Sequence, residues 1–189
     1  MTMSDLELCY LPATEALQRF KSKSLSPVEL LDAILQRIEE TEPVINALTF
    51  KHFDEARDRA KKAENKYAVG KRTGALEGLP VGIKDESYIK GKPTSNGSLI
   101  KKDFVADTTS VNNQRILRAG ALVHARTATP EFSCAGYTNS RLWGVTRNPW
   151  NPQLTPGGSS GGSAASLAAG TSSIATGSDI GGSIRIPAA

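Results

Sequence analysis

Histidine and cysteine are scarce in this sequence, long apolar runs are missing, and so is a strong charge of either sign. The two histidines, His52 and His124, both lie in the first two thirds of the chain. The two cysteines, Cys9 and Cys134, are far apart and form no metal-like pair. They read as free thiols in a reducing, cytoplasmic setting. No apolar run approaches the length of a membrane span. Met1 to Tyr10 carries Asp5 and Glu7 and lacks the basic and apolar pattern of a signal segment. The 23 Lys and Arg residues stand against 19 Asp and Glu, a net charge of +4. Bases and acids alternate from Lys51 to Arg72, so they read as solvated surface rather than a nucleic-acid patch. What is left is an ordinary globular composition over 189 residues, enough for one domain with a real core.

Charge almost vanishes from Thr155 to Ala189, where Asp179 and Arg185 are the only charged side chains. The stretch is rich in glycine and serine and could be a flexible linker on composition alone. A linker would not interleave Leu167, Ile174, Ile180, Ile184 and Ile186, nor set its two charges beside one Gly-Gly-Ser turn. Two Gly-Gly-Ser turns that let backbone approach backbone read better as the floor of a buried site.

The rest of the chain predicts alternating helices and strands. A short amphipathic helix is expected over Thr14 to Ser22. Ser26-Pro27-Val28-Glu29 is a capping box with proline at the first helical position. The helix it opens carries Val28, Leu31, Ile34, Leu35 and Ile38 on one stripe and should end before Pro43. Val44 to Phe50 reads as a strand. Asp54 to Tyr67 reads as a polar helix, acidic first and basic later, with a smooth face of Ala56, Ala60 and Ala63. Leu79 to Lys84 and Ala121 to Ala125 read as buried strands, joined through a turn at Pro93 to Gly97 and a helix over Thr109 to Ala119. Strand, helix, strand implies parallel pairing with a right-handed crossover. Thr127 to Pro152 reads as loop, Ser160 to Ala169 as a helix of small residues, and Ser172 to Gly177 as a strand that delivers a loop beginning at Ser178. The fold expected is α/β, a mixed, mainly parallel central sheet covered by helices. Residues 1–70 form its helical region and 75–189 its sheet core.

Three segments carry a resemblance to a known family. Gly78-Leu79-Pro80-Val81-Gly82-Ile83-Lys84-Asp85, Gly157-Gly158-Ser159-Ser160-Gly161-Gly162-Ser163 and Asp179-Ile180-Gly181-Gly182-Ser183-Ile184-Arg185 resemble, in order and spacing, the motifs of the amidase signature family. The resemblance runs from about Leu25 to the last residue. It implies a Ser-Ser-Lys triad in which Ser183 is the nucleophile, Ser159 relays its proton and Lys84 is the base. It also implies a cis peptide before Ser159, no metal and no organic cofactor. For Lys84 to act as a base it must be neutral, against a reference pKa of about 10.4, which burial at an apolar strand end can lower. Asp85 is the competing partner for Lys84, but neighbours on a strand point to opposite faces. The amides of Ile180, Gly181, Gly182 and Ser183 offer uncrowded donors for a developing oxyanion. Ser160, Asp179 and Arg185 are expected to hold that loop, and Ser133, Cys134 and Tyr137, within Glu131 to Asn139, to line one wall of the substrate pocket.

Other readings of the same residues compete. Gly158-Ser159-Ser160-Gly161-Gly162 fits a nucleophile elbow centred on Ser160, but that mechanism needs a histidine after the serine. Ser87-x-x-Lys90 and Ser98-x-x-Lys101 fit a serine–lysine pattern, and both are expected on a solvated surface. Cys134 with His124 could form a thiol–imidazole pair, although a partly buried, satisfied cysteine is the plainer reading. Gly157 to Gly162 could be a non-enzymatic anion nest at a helix start, yet no Walker lysine follows it.

The resemblance implies an amidase that splits a small carboxylic amide into an acid and ammonia or an amine. A glutamine-hydrolysing subunit of a tRNA-dependent amidotransferase is the alternative within the family. There the loop usually reads Thr-Gly-Gly-Ser-Ile-Arg-Gln, where this chain has Ile180 and Ile186. Members of the family continue well beyond this segment, so a further C-terminal part of the same enzyme is an expected partner. Without it, residues 1–189 are expected to expose apolar surface and to lack activity. A homodimer stays open; nucleic acid and membrane are not expected partners.

Overall fold

The computed structural model describes residues 4–189, so Met1 to Met3 of the N-terminal reading lie outside the described residues. The chain opens with a helix not foreseen, α1 (Asp5–Cys9). Ser4 caps it by accepting from Glu7 N, while the Glu7 carboxylate accepts from Ser4 N at 2.8 Å. This reciprocal box can close a turn too short to show periodicity. Helix α2 (Ala13–Ser22) buries Ala16 and Phe20.

Helix α3 (Pro27–Ile45) starts at the expected box, with Ser26 and Glu29 capping each other and Pro27 in the first turn. It does not stop before Pro43. The proline sits in the last turn, where it removes the single N–H that would donate to the carbonyl four residues back, and the helix runs on for two more residues. Asn46 closes the helix in the left-handed region, and the Glu42 carboxylate accepts from Ala47 N and Leu48 N. The strand expected from Val44 therefore begins late, as β1 (Leu48–Lys51). Helix α4 (Phe53–Ala68) buries Ala56, Ala60 and Ala63, so its smooth face lies close to the body as expected.

Strand β2 (Pro80–Lys84) and β3 (Leu122–Thr127) are buried along their whole length, with α5 (Val111–Arg118) between them in sequence. They pair in parallel, as strand–helix–strand predicts. The segment expected to be loop from Thr127 holds the last residue of β3 and a small antiparallel ribbon, β4 (Asn139–Ser140) and β5 (Gly144–Val145). Two-residue strands are too short for an alternating pattern to reveal them. Helix α6 (Gly161–Ala168) precedes β6 (Ile174–Ala175), which is shorter than the strand expected over Ser172 to Gly177.

The main sheet has the order β1-β3-β2-β6, with β1 antiparallel and the other pairs parallel. It is the mixed, mainly parallel sheet of an α/β fold. Phe20, Leu30, Leu31, Ile34, Leu35 and Ile38 pack with Leu48, Leu79 and Leu122 in one apolar cluster. Val81, Ile83 and Val123 form a second with Ile89 and Ala121. Strand β3 sends Leu122 and Ala125 to the first cluster and Val123 to the second, while β2 gives Val81 and Ile83 to the second and turns Lys84 to the site.

Helix α6 packs on β2, β3 and β6 through glycine, alanine and serine. Gly162 N donates to Ala128 O at 3.1 Å. A methyl group at Gly162 would collide with the Ala128 backbone and would lie 2.7 Å from Ala47 O. The small residues thus bring the first turn of α6 against the ends of the central strands, where the site lies.

Candidate active site

Lys84 ends β2 and is 1% exposed. Its amide donates to Thr176 Oγ1 at 2.9 Å, which ties the strand end to the segment after β6. Lys84 Nζ donates to Ser159 Oγ at 2.7 Å and to Ser178 Oγ at 2.9 Å, and lies 3.0 Å from Glu86 Oε2. Burial pulls the Lys84 ammonium below its ordinary pKa, and the Glu86 carboxylate opposes that shift without cancelling it. Asp85 takes the opposite face, as the strand period requires. It accepts from Ser95 N and Ser95 Oγ and lies 3.8 Å from Arg126 NH2. Burial raises the Asp85 carboxyl to about 6 and lowers Arg126 to about 10. Arg126 NH2 also donates to the carbonyls of Lys84, at 3.2 Å, and Ser87, bracing the backbone on both sides of Glu86.

Ser159 is fully buried and follows a cis Gly158–Ser159 peptide, the geometry that the resemblance implied. Gly158 has no room for a side chain: a Cβ there would sit 2.7 Å from the Tyr137 backbone. Thr138 Oγ1 donates to Gly157 O at 2.9 Å and holds the same turn. Ser160 supplies the N-cap position of α6, and its amide donates to Ser183 O at 3.1 Å. The two Gly-Gly-Ser segments are therefore stitched together directly. Ser178 N and Ser160 Oγ meet at 3.4 Å on the other side of that turn.

Asp179 and Arg185 hold the second loop as expected. Asp179 Oδ1 accepts from Gly182 N at 2.8 Å, and Oδ2 accepts from Ile184 N and Arg185 N at 3.1 and 3.0 Å. Arg185 Nε and NH2 close a two-pronged pair with the same carboxylate at 3.0 and 2.8 Å. Those bonds, led by the Arg185 side chain, hold the Asp179 carboxyl well below the usual range. They also correct one expectation. The Gly182 amide is engaged by Asp179 and is not free to meet an oxyanion, while the amides of Ile180, Gly181 and Ser183 have no partner among the described residues.

Ser183 and Ser159 line one cavity of about 800 Å³, together with Glu86, Ser178, Ile180 and Gly181. Its other wall includes Phe132, Ser133 and Cys134, two of the three pocket residues expected. The third, Tyr137, is 56% exposed and faces a neighbouring depression that it shares with Cys134. Its backbone, pressed on Gly158, is what supports the site. Among the described residues no group of three or more His, Cys, Asp and Glu side chains comes together to hold a metal ion.

The competing residues lie elsewhere or are occupied. Ser98 is fully buried, not solvated: it caps Ile100 N and donates to Glu131 Oε1 at 2.6 Å. Ser87 accepts from Asn113 Nδ2 at 2.9 Å. Cys134 is exposed rather than partly buried, because Phe132 and Ser133 turn the chain outward at φ 50° and 57°. His124 is buried with Nε2 on Thr171 O at 2.8 Å, and Cys134 Sγ meets Phe132 O, so no thiol–imidazole pair forms. Sequence reasoning missed Glu86 and Ser178 as partners of Lys84. Glu86 lies in the turn that follows β2, where its amide donates to Lys84 O at 2.8 Å, so the strand period does not reach it and the turn brings its carboxylate back to the lysine. Ser178 depends on β6 lying beside β2, which only the sheet order reveals.

The model of the amidase family matches residues 29–189. The chain is 40% identical over 176 residues to an indoleacetamide hydrolase of Bradyrhizobium diazoefficiens, covering 93% of this chain and 34% of that relative. It is 42% identical over 171 residues to the A subunit of a glutamyl-tRNA(Gln) amidotransferase from a Synechococcus species, covering 90% and 35%. The solved structure of a bacterial aryl acylamidase superposes with a TM-score of 0.90 at 36% identity, covering 95% of this chain and 38% of that one. The chain thus spans about a third of the length of the curated relatives it matches. With the lysine segment and both Gly-Gly-Ser segments in register, joined by the hydrogen bonds described above, the chain belongs to the amidase signature family.

Proposed function

We propose that this chain carries the nucleophile, relay and base of an enzyme that hydrolyses a carboxylic amide to an acid and ammonia or an amine. The observation that carries the reading is the 2.7 Å bond between Lys84 Nζ and Ser159 Oγ, on the wall of the cavity that Ser183 also lines. A neutral Lys84 takes the Ser159 proton, Ser159 takes that of Ser183, and Ser183 Oγ attacks the amide carbon. The Ile180, Gly181 and Ser183 amides are the free donors for the oxyanion, each donor worth about 2.7–4 kcal/mol in such sites. The proton returns through Ser159 to the departing nitrogen, and water then releases the acid from Ser183. Residues 1–70 and 75–189 act as two parts of one domain in this reading, with one apolar cluster crossing between them.

A second reading rests on the 42% identity to the amidotransferase relative. In it the amide is glutamine and the ammonia passes to an aminoacyl-tRNA. Ile180 and Ile186, at positions where that subfamily usually has threonine and glutamine, favour the free-standing amidase. The test is ammonia release by the full chain as encoded, over a panel of aryl, alkyl and amino-acid amides. Release from aryl or alkyl amides that disappears in Ser183→Ala supports the first reading; release from glutamine alone supports the second. Activity that survives Ser183→Ala overturns both.

A further inference from the structure

Lys84 has more partners than a base of its kind requires. Its three ammonium hydrogens are matched by three acceptors, Ser159 Oγ, Ser178 Oγ and Glu86 Oε2. Loss of one proton leaves two N–H bonds and one lone pair. Glu86 is a carboxylate that can only accept, so it must keep one of those N–H bonds. Ser178 Oγ accepts from Lys84 at 2.9 Å, and its hydroxyl helps to hold the Glu86 carboxyl below its ordinary range. With Glu86 and Ser178 occupied by hydrogens, the lone pair has one direction left, toward Ser159.

The surroundings fix Glu86 in that role. Ser133 Oγ donates to Glu86 Oε2 at 2.7 Å and lies 3.0 Å from Thr129 Oγ1. Ser133 is placed there by two successive left-handed residues, Phe132 and Ser133. Arg126 clamps the carbonyls of Lys84 and Ser87, the residues on both sides of Asp85 and Glu86. Among the described residues no second carboxylate pairs with Lys84. Asp85 and Arg126 pair with each other on the far face of β2, and Asp179 with Arg185 across the loop.

We propose that Glu86 is a positioning residue that holds Lys84 as a directed base, setting both the aim of its lone pair and the pH at which the lone pair becomes available. The inference rests on the amidase reading above. Burial alone drives Lys84 toward neutrality, and the carboxylate holds it closer to the ordinary lysine range. Removing the negative charge therefore lowers the pH at which Lys84 gives up its proton, and it leaves a weaker, less directed base.

The test is Glu86→Gln in the full chain as encoded, with two readouts. The Lys84 13Cε titration, followed by NMR, should move its midpoint down by about one pH unit or more, since an opposite charge this close shifts a pKa by roughly 1–3. The acid limb of the kcat/KM profile for ammonia release should move down with it. The plateau kcat should fall about tenfold or more while KM changes little, because the substrate contacts stay. Glu86→Asp keeps the charge and should restore the midpoint, though not the full rate. Ser133→Ala removes the hydroxyl that anchors Glu86, so the carboxylate spends less time beside Lys84 and the midpoint should shift in the same direction by less, and it reads the proposal if Glu86→Gln fails to fold. A midpoint that stays put in Glu86→Gln, or in Ser133→Ala should that variant be the one that folds, overturns the inference. The NMR midpoint needs no substrate, so it decides the role of Glu86 even if no ammonia is released. Failure of the amidase reading shows separately, as ammonia release that survives Ser183→Ala.

Discussion

Helices α3 and α6 are both buried, but with opposite materials. Helix α3 buries Leu30, Leu31, Ile34, Leu35 and Ile38, each within 2% of full burial. Helix α6 buries Gly161, Gly162, Ser163, Ala165 and Ser166, and leaves its one large apolar residue, Leu167, 41% exposed. A buried leucine or isoleucine contributes about 1.5–3 kcal/mol, so α3 is held by area. Helix α6 has little area to bury and is held by closeness: Gly162 on Ala128, Ser163 Oγ on Thr127 and Thr176, Ser160 N on Ser183 O. Large side chains would stabilise α6 more, but they would stand its first turn away from Lys84. The comparison teaches that stability and position are supplied by different helices here.

The sharpest way to separate the two is to remove chemistry without touching packing. Ser183→Ala or Lys84→Ala should cut amide hydrolysis by roughly 10³-fold or more, and the double variant should be little worse than either single one. Thermal melting should change little for Ser183→Ala, whose side chain is only partly buried. On the α3 side the reverse is expected. Ile34→Ala should cost about 2–5 kcal/mol in a denaturant titration while each folded molecule keeps its rate. A large loss of rate at full folding would break the comparison.

Gly162→Ala tests the claim that closeness places the site. The added methyl meets the Ala128 and Ala47 backbone and cannot be relieved by a flexible side chain. Overpacking of this kind costs about 1–3 kcal/mol. The rate should fall with it, since Ser159 and Ser160 sit on the turn that must shift; unchanged kinetics would show that α6 is not the positioning element. The smallest effect belongs to Leu167→Ala. As an exposed substitution it should stay within about 0.5 kcal/mol of the parent in the same titration. A loss of leucine-core size would mean that α6 is held by area after all.

The two helices also differ in how legible they are. The α3 stripe and its Ser26–Glu29 box follow from spacing alone, and only Pro43 misleads, since the helix continues through it to Ile45. The α6 region is legible as motif rather than as pattern. The resemblance singles out Lys84, Ser159 and Ser183, and the chain brings all three to one place. Strand alternation separates Asp85 from Lys84 correctly, but it ends there: Glu86 reaches the lysine through the turn after β2, which the pattern does not show. Contacts that need tertiary neighbours stay hidden. Ser178 reaches Lys84 only because β6 pairs with β2, Asp179 takes the Gly182 amide only because its loop folds back, and Ser98 is buried by Glu131 from 33 residues away.

The central claim is that Ser183 is the activated nucleophile and Lys84, through Ser159, is what activates it. The most direct measurement treats the full chain as encoded with a fluorophosphonate probe and maps the labelled peptide by mass spectrometry. The account predicts a single label on Ser183, absent in Ser183→Ala and formed far more slowly in Lys84→Ala. A label on Ser160, or labelling of Ser183 at an unchanged rate without Lys84, would contradict it.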